Sequence, residues 1–432
     1  MEVNIIGAGL AGSEAAYQLA KRGIKVNLFE QKPLKKHEAF KTNLFAELIC
    51  SNSLRSNIIS NGVGLLKEEM RQLDSLIMKS ADLNALPAGT SLAVDRAGFS
   101  KYITDTIRSN DNITIINEEV KSIDINIPTI ICSGPLSEGD IINSIKELCG
   151  QDYLYFYDAI APIVKKDSID FSKAYYKSRY DENGEGDYIN CPMNEEEFNK
   201  FYDTLINGDT INLKEMDKTF FEGCLPIEEI ARRGKKTLLF GPMKPVGLEH
   251  NGIRPFGVVQ LRKDNAIDSL YNIVGFQTHL TYGAQDKVLK TIPGLENVEI
   301  IRHGQMHRNT YINSPKVLNN AYQFNKYPNI FIAGQICGVE GYVESAGSGL
   351  YAALCMYQYL KGDIKYVLGK DTMLGAMANY ISDNHIDKLV PMNANYGLMV
   401  SDYKGKKDKK REYMANNSLN IIKVYKDNLE NV

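Results

Sequence analysis

An α/β fold built on a Rossmann-type nucleotide-binding domain, with an α+β domain inserted into it, is what this sequence predicts. Three observations predict it. A short apolar strand at its start runs into Gly7-Ala8-Gly9-Leu10-Ala11-Gly12 and then into a helical stretch. The character of the chain changes between about Tyr176 and Gly208, which is acidic and rich in Tyr and Asn. A late apolar strand, Asn329 to Ala333, then leads into another glycine-rich turn and helix, as though the first fold resumed.

The elements follow in order. Val3 to Ile6 reads as a buried strand, and Leu10 to Arg22 as a helix with Gly23 as its stop. Lys25 to Phe29 is the second strand and ends in Glu30. Phe40 to Arg55 is polar and loop-like and holds Cys50, whereas Leu65 to Met78 carries apolar residues at helical spacing. Strands are expected at 91–94, 113–116 and 129–132, with a helix over 99–108. These readings divide the chain into a first part of the nucleotide-binding domain (1–175), an insertion domain (176–294) and a second part (295–432) with a charged tail after Ser401, expected as a surface helix.

Composition narrows the class. A chain of 432 residues, 44% hydrophobic and 24% charged, suits two or three globular domains. No run of about 18 apolar residues is present, so no membrane span is expected. The strand begins almost at Met1 and leaves no room for a signal peptide, which predicts a cytoplasmic protein. Seven scattered cysteines without a CxxC pair suggest neither a disulfide framework nor a metal site. The net charge of −3 argues against a protein that coats nucleic acid, but it leaves room for local basic runs. Two stand out, Arg232-Arg233-Gly234-Lys235-Lys236 and Lys404 to Arg411. Each is by default a solvated face.

The glycine hexad is GxGxxG between a strand and a helix. Gly7 would permit the tight turn, Gly9 the approach of a pyrophosphate, and Gly12 close helix–strand packing. The backbone of Ala8, Leu10 and Ala11 would line the phosphates at the helix start, and Glu30 is placed to accept a ribose hydroxyl. Gly334-Gln335 and the run from Gly341 through Glu344 to Gly349 offer a second helix N-terminus. No second GxGxxG exists for a dedicated NAD domain, which favours FAD, and hence a FAD-binding, glutathione-reductase-like version of the fold. The plainer reading of the second cluster is a set of small residues for helix packing.

Two cysteines have reason to be reactive. Cys224 precedes Leu225-Pro226-Ile227-Glu228-Glu229, a helix-start pattern with Pro226 at the first helical position. Cys50 lies in a polar loop of the nucleotide-binding half, where residues can reach a cofactor. Cys132, Cys149 and Cys355 read as packing.

Whole stretches of the chain, among them LICSNSLRSN (48–57), FEGCLPIEEIARRG (221–234), NIVGFQTHLTYG (272–283), MHRNTYINSPK (306–316) and GYVESAGSGL (341–350), resemble the folate- and FAD-dependent RNA (uracil-5-)-methyltransferases, the TrmFO (formerly Gid) family. The resemblance implies a flavoprotein that takes a carbon from methylenetetrahydrofolate, is reduced by NADPH or NADH, and methylates C5 of a uracil. It implies that Cys224 attacks C6, that Cys50 is the second essential cysteine, and that His279, Arg308 and Asn309 line the folate and flavin pocket. Arg232 and Arg233 then become candidate phosphate contacts. No obligate protein partner is implied. The target RNA is tRNA in most of the family and 23S rRNA in some members from AT-rich genomes. His303 and Cys337 depart from the family pattern, which generally has tyrosine and threonine there. Competing readings are a MnmG (GidA)-like wobble-uridine enzyme, whose chains carry a further C-terminal domain, and a non-catalytic FAD-bound RNA-binding paralogue.

Overall fold

The structure, a computed structural model, describes residues 1–150, 154–179, 186–211, 225–406 and 409–431. Its centre is a five-stranded parallel sheet. The strand β1 (Glu2–Ile6) pairs on one side with β2 (Lys25–Phe29) and on the other with Thr129–Ile131, and the strands Ile113–Ile116 and Ile330–Ile332 form the edges. Val3, Ile5, Leu28, Ile130, Ile330, Phe331 and Ile332 are fully buried, the near-continuous apolar runs that a parallel sheet covered on both faces requires. The helix α1 (Leu10–Lys21) connects β1 to β2. Gly23 ends that helical stretch with a positive φ of 77°.

A six-stranded antiparallel sheet forms a second unit, ordered Tyr175–Tyr176, Tyr188–Met193, Gly257–Lys263, Leu270–Ile273, Ile163–Lys165 and Ile300–Arg302. It has its own core, in which Phe198, Phe201, Val259, Leu261, Ile273 and Leu295 are fully buried. The strands at 163–165 and 300–302 lie outside the expected interval 176–294, yet they pair into the same sheet as the strands inside it. Two antiparallel strands, Leu154–Ala159 and Met306–Tyr311, carry the chain out to this unit and back.

Three local expectations change. The helix expected over 65–78 is two helices, α2 (Gly62–Gln72) and α3 (Leu76–Leu83), broken at Asp74, which has a φ of 58°. The cause is tertiary. The fully buried Glu14 carboxylate accepts the N–H of Ile77 at 2.9 Å and the hydroxyl of Ser75 at 2.7 Å, and Ser75 in turn caps α3. The loop-like stretch ends in a strand, Ser53–Ser56, within a small three-stranded sheet. The tail is a helix, Lys410–Leu429, but it is more than a surface feature. Met414, Ala415, Ser418, Ile422, Tyr425 and Leu429 recur at helical spacing and are buried against the main core.

Glu69 on α2 ties that tail helix in. Its carboxylate accepts the N–H groups of Met373 (2.6 Å) and Leu374 (2.8 Å) at the start of the helix Met373–Ile381, and the hydroxyl of Ser418. Burial outweighs these bonds and raises its pKa from 4.5 to about 7. In that window the folded protein keeps a proton that the unfolded chain has released, so this group's contribution to stability is lost as pH rises from 4.5 to about 7. Glu69→Gln, which cannot ionise, is expected to gain melting temperature relative to wild type as pH goes from about 5 to about 8. A melting-temperature difference that stays flat across that range would show that Glu69 does not titrate there.

Candidate functional site

The glycine turn is fixed by backbone contacts that no side chain would tolerate. Gly7 has a φ of 98°, its N–H donates to the Phe29 carbonyl at 2.8 Å, and a Cβ there would stand 2.5 Å from the Cys132 carbonyl oxygen. A Cβ on Gly12 would stand 1.8 Å from the Gly7 carbonyl oxygen, so α1 lies directly on the turn. Gly9 differs: it caps α1 with an ordinary φ of −75°, and a Cβ there would meet nothing within 4 Å. It borders a long cleft, and the first-turn N–H groups of α1 have no partner within the helix. Glu30 lines the same cleft just beyond the end of β2. One carboxylate oxygen accepts the Ala8 N–H at 2.9 Å and the other the Lys32 N–H at 3.0 Å, which leaves lone pairs on the cleft side.

The second glycine cluster divides in two. Gly334 and Gln335 line the cleft, as do Tyr342 and Ser345 at the start of the helix Tyr342–Leu360. Gly341 and Glu344 are not part of its wall. Glu344 is fully buried, pairs with Arg55 and accepts the Ala394 N–H at 2.8 Å. A Cβ on Gly349 would come within 2.2 Å of the Ala11 carbonyl oxygen, so this part of the cluster serves helix packing.

Cys50 lines the same cleft, and its loop is held from three sides. The Tyr342 hydroxyl accepts the N–H groups of Cys50 (2.6 Å) and Ser51 (3.2 Å). Arg302 donates to the Ile49 carbonyl at 2.8 Å, and Arg96 donates to the Leu48 carbonyl while pairing with Asp264 at 3.1 Å. Arg262 reaches Ser51 Oγ at 2.8 Å and Asn52 Oδ1 at 3.1 Å. Burial pushes the thiols of Cys149, Cys337 and Cys355 up to about 12 and that of Cys132 further still, as befits packing residues.

The remaining residues scatter. Asn309 is buried on the cleft wall, while Arg308, its neighbour on the opposite face of the strand, lies 4.4 Å from the Tyr155 ring centroid. His279 is in the second unit, with Nδ1 2.5 Å from the buried Glu228 carboxylate. Arg232 and Arg233 are exposed, and Arg232 pairs with Glu229. Cys224 lies outside the described residues. The six-residue helix after it spans Ile227–Arg232, with Pro226 as its cap and not its first residue. His303 pairs with Asp286 at 2.9 Å and stacks on Tyr282. Sequence reasoning missed His307, which lines the cleft with a buried Nε2 that has no hydrogen-bond partner. Burial, with His37, Arg302 and Lys41 nearby, lowers its pKa to about 4, so it is neutral. Its only sequence signal is its alternation with Asn309 along one strand.

The family described as glucose inhibited division protein A matches residues 2–363. Over 433 residues the chain is 57% identical to a Staphylococcus haemolyticus (strain JCSC1435) protein named methylenetetrahydrofolate–tRNA-(uracil-5-)-methyltransferase TrmFO, covering 99% of each. It is 56% identical over 428 residues to the protein of that name from Bacillus subtilis (strain 168), covering 98% of each. Among solved structures, Aquifex aeolicus GidA superimposes with a TM-score of 0.73 at 16% identity, over 99% of this chain and 73% of that one, which shows a shared fold.

The glycine geometry separates binding from folding. Gly9→Val, whose side chain enters open cleft, is expected to fold normally and lose dinucleotide cofactor, read as flavin absorbance of the purified protein. Gly12→Val, driven into the Gly7 carbonyl, is expected not to fold. Equal flavin content in Gly9→Val and wild type would remove the cleft from cofactor binding.

Proposed function

Because the chain belongs to the glucose inhibited division protein A family, and to the TrmFO group within it, we propose that it methylates C5 of a uridine in RNA, with methylenetetrahydrofolate as carbon source, FAD as bound cofactor and NADPH or NADH as reductant. Its enzyme class is that of those relatives, a methylenetetrahydrofolate-dependent RNA (uracil-5-)-methyltransferase. The observation that carries this reading is 56–57% identity over 98–99% of both chains, joined to a cleft lined by both the glycine turn and Cys50.

The cleft fits FAD on its own terms. Gly9 leaves room at a helix N-terminus for a pyrophosphate, Glu30 retains acceptor capacity for a ribose, and His307 Nε2 is a buried polar atom awaiting a partner. FAD, when bound, supplies the reducing equivalents and the route of the carbon. The protein's own part is to make C5 nucleophilic and to handle its proton. C5 of uracil is a poor nucleophile until a thiolate adds at C6, the role proposed for Cys224, with Cys50 managing the proton at C5 from the cleft wall. Asn309 on the wall, with His279 and Arg308 farther out, is proposed for the folate and flavin pocket. A uridine in structured RNA must be flipped out to reach such a site, and Arg232 and Arg233 are proposed to meet its phosphates.

Two experiments test this reading. RNA carrying 5-fluorouridine at the target is expected to trap a covalent adduct that peptide mapping assigns to Cys224. Cys224→Ala is expected to form neither adduct nor product while keeping its flavin. An adduct mapped to Cys50, with Cys224→Ala still trapping RNA, would reverse the two roles. The relatives' names point to tRNA as the substrate. Mapping 5-methyluridine in cells lacking this gene is expected to show its loss from the T-loop of tRNA; loss from 23S rRNA instead would reassign the target.

A further inference from the structure

The Cys50 loop is enclosed by more positive than negative charge. Arg96, Arg262 and Arg302 all bond to residues 48–52, and Asp264 is the one carboxylate bonded to any of them among the described residues. Guanidinium groups keep their charge even when buried. Two of their nitrogens, Arg96 Nη2 and Arg302 Nε, are buried with no hydrogen-bond partner. With Asp264 bonded to only one of the three guanidinium groups, a group that becomes anionic beside them is stabilised in that form.

We propose that Arg302 and Arg96 are positioning residues that hold the Cys50 side chain as a thiolate at neutral pH. Asp264, paired with Arg96 and acting on Arg302 as well, offsets part of that charge, and the remaining groups described around the loop do not cancel the rest. Tyr342 sits against the Cys50 backbone as a neutral phenol, its pKa driven well up by burial. His307 is neutral, and Glu47, farther along the wall, is turned onto the backbone N–H groups of Lys41 and Thr42. Arg302 and Cys50 interact electrostatically, each favouring the other's charged form. A nearby cation lowers a thiol pKa by about 1–3 units against the opposing effect of burial. Two of the three arginines come from the strands Gly257–Lys263 and Ile300–Arg302 of the second unit, so the insertion sets the protonation of a cysteine in the nucleotide-binding half. The inference rests on the reading of Cys50 as a group that takes a proton at C5, since a thiolate is basic enough to accept one and a neutral thiol is not.

The test is alkylation of Cys50 by iodoacetamide in the purified holoprotein without RNA, followed by peptide mass mapping from about pH 5 to about 10. The expected wild-type inflection lies a unit or more below the ordinary thiol value of about 8.5. Arg302→Met should move it up by about one unit or more and slow modification at pH 7 about tenfold, whereas Arg302→Lys should keep most of the wild-type rate. Normal flavin content and unreactive Cys337 and Cys355 check that each variant is folded. An inflection at or above about 8.5 in wild type overturns the inference whatever the variants do, as does an unchanged profile in folded Arg302→Met. If Arg302→Met does not fold, the wild-type and Arg302→Lys profiles decide. A low inflection in a protein that transfers no methyl group to RNA would sink the proposed function and leave this inference standing.

Discussion

Helix α1 can lie where it does only because two glycines remove the side chains that would stand in its way. Gly12 sets one face against the Gly7 carbonyl, and Gly349 sets the helix Tyr342–Leu360 against the Ala11 carbonyl on another. Between them α1 touches backbone on both sides, and the cleft runs along its N-terminal end. The turn that would receive phosphates, the strand that ends in Glu30 and the late helix that begins with Tyr342 are thereby fixed in one frame. Displacing α1 by the width of a methyl group would misplace all three.

The second constraint joins the two units. Neither half supplies the Cys50 surroundings alone: the loop and Arg96 come from the first, Arg262 and Arg302 from the second, and Tyr342 from the segment after the insertion. Side chains that share a loop in this way fix the orientation of the units as well as the chemistry between them. The connecting strands Leu154–Ala159 and Met306–Tyr311 contribute too, because the strand that bridges the units also presents His307 and Asn309 to the cleft.

What the sequence disclosed and what it concealed follow one rule. The glycine turn, Glu30 and the strands of the parallel sheet were legible because local backbone geometry and continuous burial leave a mark at fixed spacing. The break between α2 and α3 was not, because Glu14, more than 60 positions away in sequence from Ile77, dictates it through hydrogen bonds that no window contains. Tyr342 was hidden for the same reason, since its hydroxyl serves a loop 292 positions earlier. Glu344 shows the converse. Its place at a helix start suggested a ligand contact, and its partners proved to be Arg55 and the Ala394 backbone. The shift in composition near Tyr176 is visible in the sequence, but the strands Ile163–Lys165 and Ile300–Arg302 resemble ordinary apolar strands, and only their pairing reveals which sheet they join.

The central sheet has a further consequence for how the chain is made. Its edge strand Ile330–Ile332 pairs with Thr129–Ile131, and Glu69 waits for partners at 373, 374 and 418. During synthesis one side of the strand Thr129–Ile131 therefore stays unpaired until more than three quarters of the chain has emerged, while the second unit, with its own core, has its last described strand by residue 302. The ribosome thus releases a finished inner unit inside an unfinished outer one. An arrest between residues 302 and 330 would strand a sheet with an exposed, strongly apolar edge for other chains to find.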